Sequence, residues 1–108
     1  MSTSVTGLYN FITDIEECLE RHKKQPNNIA ISQFIAKAFT EINLLLDSGV
    51  LEKLPYHLRR EYDRLEKELT EQKTIGNQFE VLQTILEMLR ICSIALSQQK
   101  SVGPQKER

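Results

Sequence analysis

Two cysteines and two histidines are the residues best suited to chemistry in this chain, and their spacing limits what they can do. Cys18 and His22 stand four apart, so on a helix a thiolate and an imidazole share one face, with Cys92 as a third possible zinc ligand. In an antiparallel bundle rising about 1.5 Å per residue, Cys18 and Cys92 fall on the order of 10 Å apart along the axis. That offset opposes both a shared metal ion and an unstrained disulfide. Both cysteines therefore read as small core residues, and neither a metal nor a cofactor site is expected.

His57 stands in Tyr56-His57-Leu58-Arg59-Arg60, at the start of a charged helix. A helical histidine can accept a phosphoryl group, and histidine phosphotransfer domains resemble this chain in being small helical bundles. They also carry a small residue and a Lys-Gly shortly after the histidine, and both are missing here. An exposed first-turn histidine is the simpler reading, with phosphotransfer signalling through His57 as the alternative. A di-iron bundle needs Glu-x-x-His pairs, but Leu19 and Leu54 stand three before His22 and His57. The carboxylates Asp14, Glu16, Glu17 and Glu20 read as a solvated helix face, since paired catalytic carboxylates need a desolvated cleft that separates their pKa values. No phosphate-cradling glycine loop, G-x-S-x-G elbow or H-E-x-x-H helix occurs. The chain is therefore expected not to be an enzyme.

Arg59, Arg60 and Arg64 suggest phosphate contacts, with Tyr56 or Tyr62 stacking on a base. From Arg59 to Lys73, however, five charges of each sign interleave, whereas nucleic-acid helices usually segregate the basic side. Nucleic-acid binding is thus a second, weak alternative. A formal net charge of −1 adds no global field to draw in a polyanion.

The elements that must carry these residues are marked out by proline and glycine. Pro26, Pro55, Gly49 and Gly76 separate four stretches of helical periodicity, at about 5–24, 29–48, 56–74 and 77–97, and no strand alternation lies between them. In the first, Leu8, Phe11, Ile12, Ile15, Cys18 and Leu19 form an apolar arc of roughly 120°, and His22-Lys23-Lys24 suits the negative end of the helix. In the second, Ile31, Phe34, Ile35, Ala38, Phe39, Ile42, Leu45 and Leu46 fill roughly 140°, between a predicted Asn28 cap and Gly49. The third, opening at Pro55, offers only Leu58, Tyr62, Leu65 and Leu69, a seam roughly 60° wide. The fourth, capped by Asn77, spreads its apolar residues from Val81 to Leu96 over roughly 220°.

With 108 residues and short connections, these helices predict an all-α, single-domain, antiparallel (up-down-up-down) four-helix bundle over residues 1–97. Val50, Leu51 and Leu54 are expected to close one open end. Residues 98–108, apolar only at Val102, are expected to form a disordered tail. No signal-like segment opens the chain, and no apolar run reaches bilayer length, so a cytoplasmic location and no membrane are expected.

The fourth helix is more apolar, and the third less, than an evenly shared core requires. One account puts the fourth helix at the centre with the third riding on its edge. The other makes part of the surplus an interface: Met88, Ile91 and Ala95, flanked by Glu87 and Arg90. On that account the chain is a protein-binding adaptor, assembly factor or regulatory subunit, or a homodimer through the same surface.

Overall fold

The computed structural model describes the backbone of residues 5–75 and 77–106 and the side chains of residues 6–71 and 77–97. The elements are α1 (Val5–Lys24), α2 (Asn28–Asp47), a short 3-10 turn (Val50–Lys53), α3 (Tyr56–Ile75) and α4 (Gln78–Lys106). The backbone of α4 runs on through residues 98–106, expected to belong to a disordered tail; their side chains, and residues 107 and 108, lie outside the described residues.

Local chemistry sets the joints. Asn27, one residue before the predicted cap, starts α2 by accepting the Ala30 N–H at 3.0 Å on its side-chain oxygen. The placement satisfies a donor that the first turn leaves orphaned. Asn77 does the same for Glu80 at 2.9 Å in α4, as its position predicts. At the other end of α2, Gly49 takes φ 81°, the left-handed conformation that turns the chain, and donates to the Leu46 carbonyl at 3.0 Å. Pro55 sits one position ahead of α3, and its carbonyl accepts from Arg59 at 2.9 Å.

Three contacts show α1 and α4 running antiparallel side by side. The Tyr9 hydroxyl lies 2.6 Å from that of Ser97, Arg90 pairs with Glu16, and the His22 ring stacks on Phe79 with centroids 5.3 Å apart. The N-terminal ends of α2 and α4 meet at the end of α1 where His22 and Lys23 lie, so α2 runs parallel to α4. α3 returns antiparallel to α4 through the short connection before Asn77.

The packing is not an even square. α4 is the hub: α1, α2 and α3 each pack along it, α1 also touches α2, and α3 packs substantially on α4 alone. That placement accounts for the wide apolar arc of α4. Apart from exposed Gln78 at its first position, its described exposed residues, Glu80, Gln83, Glu87 and Ile94, fall in a strip roughly 60° wide, and the rest of its described side chains are buried or half-buried. α3 needs only its narrow seam, of which Tyr62, Leu65 and Leu69 are buried and Leu58 is half-buried. The 3-10 turn packs against α2 and α4, with Val50 1% exposed and Leu51 and Leu54 half-buried around it.

Candidate functional site

The structure corrects the expectation for α4. Met88, Ile91 and Ala95 are 2%, 7% and 0% exposed, so they belong to the chain's own core and form no surface strip. Their surplus hydrophobicity is consumed by neighbours on three sides of α4. Glu87 is exposed, and half-buried Arg90 is held by Glu87 at 2.8 Å and by Glu16 of α1 at 2.6 Å. Arg90 thus joins α4 to α1, with Glu87 holding it from its own helix.

The other candidates are dispersed. Cys92 lies fully buried near Tyr62 of α3, and burial pushes its thiol up to about 11. Cys18 is buried on α1, where desolvation also raises its thiol. Both thiols are free, and no group of three metal-binding side chains forms among the described residues. His57 is exposed in the first turn of α3. Arg59 pairs with Asp63 at 3.2 Å, Arg64 with Glu61 and Glu68, and Arg60 lies over the Tyr56 ring. Two of the three arginines proposed for phosphate are thus engaged by carboxylates on their own helix. Asp14, Glu17 and Glu20 are exposed as expected, whereas Glu16 turns toward α4.

His22 stands between two open clefts where α1 ends and α2 and α4 begin. One, of about 340 Å³, is lined by Lys23, Asn28, Asn77, Gln78 and Phe79 beside the histidine. The other, of about 410 Å³, is floored by Cys18 and rimmed by Arg21, Lys24 and Asn27. The Asn27 N–H donates to His22 Nδ1 at 3.0 Å, which fixes the ring over Phe79 and commits that nitrogen as an acceptor. This corner is a junction of caps and terminal cations, arranged to close helix ends.

The surface that the core leaves unexplained belongs to α2. This helix is long and apolar enough to cross a membrane by length and composition, yet only Ile31, Ala38, Ile42 and Leu45 are buried along it. Phe34, Ile35, Phe39 and Leu46 are half-buried on its flanks. Phe34 is shielded by Phe11, with ring centroids 6.1 Å apart, and by the Lys37 ammonium 5.8 Å from the ring. On the outward side, opposite the α4 contact, Ile29 is 72% and Leu44 44% exposed. Between them on the same side lie exposed Gln33, Ala36 and Thr40. Both large residues fall outside the apolar arc of the sequence analysis, and that displacement was the available signal for an outward face. The chain matches no protein-family model, no curated protein and no solved structure.

Proposed function

We propose that this chain is a non-enzymatic interaction module, an adaptor, assembly factor or regulatory subunit, that binds through the outward face of α2. One observation supports the reading: the most apolar helix of the fold presents Ile29 and Leu44 to solvent while its opposite side packs the core. Covering a fully exposed large aliphatic side chain contributes about 1.5–3 kcal/mol, so Ile29 and the exposed part of Leu44 add to binding but need the surrounding contacts to offset the cost of association. Gln33, Lys37, Thr40 and Asp47 around them supply polar contacts that set orientation. The setting that fits is a reducing, cytoplasmic one, in which the two buried thiols stay unpaired.

The test is capture of binding proteins from a native extract by the tagged chain, beside the variant Ile29→Lys/Leu44→Lys. The expected result is a stoichiometric protein partner retained by the native chain and lost by the variant, with equal helicity by circular dichroism. Equal capture by both chains overturns the reading. So does capture of nothing by a native chain that instead floats with lipid vesicles in a manner dependent on Ile29 and Leu44.

A further inference from the structure

We infer that the outward face of α2 pairs with the same face of a second copy of this chain, the two helices antiparallel about a two-fold axis beside Ala36. The inference rests on the interaction reading above and names its partner. Ile29, Gln33, Ala36, Thr40 and Leu44 are all exposed and recur every three or four residues, which places them along one seam of the helix. A two-fold contact requires that each residue and its counterpart exchange places across the axis. Every antiparallel register of two identical helices meets that condition, and in this seam one register also matches side chains by kind at both ends. The register that sets Ile29 against Leu44 of the partner also sets Gln33 against Thr40 of the partner and places the axis between Ala36 and exposed Lys37, so that the two Ala36 meet one residue out of step.

The chemistry at each position suits its opposite. Large aliphatic side chains meet at both ends, an amide faces a hydroxyl inside them, and a methyl group at the centre lets the backbones approach closely. A partner of unrelated sequence places no such symmetry on the face it meets.

Charge points to the same orientation. The N-terminal end of α2 lies beside the last turn of α1, where Lys24 is exposed next to Arg21 and Lys23, which pair with Glu17 and Glu20, whereas its C-terminal end carries exposed Asp47, followed by exposed Glu52 and Lys53. An antiparallel copy brings each Asp47 to the partner's basic end and opposes the two helix dipoles head to tail. A parallel copy would set cations on cations. The outward faces of α1 and α3 offer no comparable seam, since Asp14, Glu17 and Glu20 occupy one and alternating ion pairs the other.

The test uses the full chain. Sedimentation across about 5 to 500 μM should show a reversible dimer, since self-association follows protomer concentration. Ala36→Arg, at an exposed position, should weaken the dimer about a hundredfold or more while leaving helicity unchanged, and Tm unchanged at a dilution where both chains are monomers. Ala36→Cys should give a covalent dimer under mild oxidation, and Glu66→Cys, on the exposed side of α3, should not. A monomer at every concentration with no Ala36→Cys cross-link overturns the second-copy inference, as does a dimer indifferent to Ala36→Arg. If that monomer still captures another protein through Ile29 and Leu44, the interaction reading survives without this inference. If it captures nothing, both fail.

Discussion

Arg90 of α4 reaches Glu16 of α1, with Nη2 2.6 Å from Oε2, while its Nη1 holds Glu87 at 2.8 Å. One guanidinium therefore spans the antiparallel seam and anchors itself on its own helix. Both members of the cross-helix pair keep more than 40% of their side chains in solvent, so water screens the attraction.

Removing this pair should cost little. A double-mutant cycle of Glu16→Ala and Arg90→Ala, read by denaturant unfolding, should return a coupling of about 0.5–1 kcal/mol that shrinks in high salt. A coupling of several kcal/mol would mean that the pair is desolvated, contrary to its exposure.

The two apolar surfaces considered for binding should respond oppositely to charge. Met88→Lys or Ile91→Lys sets an unpaired ammonium in the core, where such a change costs several kcal/mol, a large share of the stability of a domain this small. Each variant should lose its cooperative thermal transition. Ile29→Lys and Leu44→Lys change exposed positions and, compared at a dilution where the chains are monomers, should each stay within about 0.5 kcal/mol of the native chain. A folded Met88→Lys variant with an unchanged Tm would return α4 to consideration as a surface.

The contrast shows how far the sequence was legible. Helical periodicity, the Asn77 cap and Gly49 gave four helices and their joints, because these are local properties of a few consecutive residues. The surplus on α4 was equally visible, but its cause was not. Width of an apolar arc measures how many neighbours a helix needs, not whether they come from the same chain. Only the three-sided packing around α4 decides that Met88, Ile91 and Ala95 are core. Glu16 reads as one of four acidic residues on a wet face until Arg90 is placed opposite it. Ile29 and Leu44 could have been noticed as large apolar residues off the arc of α2, yet their exposure depends on which side α4 occupies.

Tyr62 offers a stabilising substitution. Its side chain is fully buried, and its hydroxyl has no hydrogen-bond partner among the described residues. An unsatisfied buried hydroxyl costs about 1–3 kcal/mol, whereas the ring fills the α3–α4 seam. Tyr62→Phe should therefore raise stability by about 1 kcal/mol, or Tm by about 4–8 °C, measured by calorimetry. Tyr62→Ala should lose about 3–5 kcal/mol through the cavity it leaves, so the pair of variants separates hydroxyl from ring.

The same seam should make the fold sensitive to alkali. Burial raises the Cys92 thiol from 9.0 to about 11 and pushes the Tyr62 phenol above its ordinary 10.0, with Cys92 and Glu66 opposing its ionisation as well. Between pH 9 and 11 the unfolded chain releases the Cys92 proton while the folded chain retains it, so stability falls as pH rises. Below pH 9 both states hold the proton, and the contribution is fully present. A shift of this size corresponds to about 2–3 kcal/mol lost across that window, with Tyr62 adding a further loss above pH 10. Cys92→Ala should flatten the pH 9–11 part of a stability profile measured by urea unfolding, and Tyr62→Phe the part above it. Cys18, whose thiol is also raised by burial, contributes in the same direction and remains in both variants, so the decline should weaken without vanishing. If Cys92→Ala leaves the slope unchanged, α3 is opening before the thiol ionises, and Cys92 should then react with a thiol reagent at a rate set by that opening.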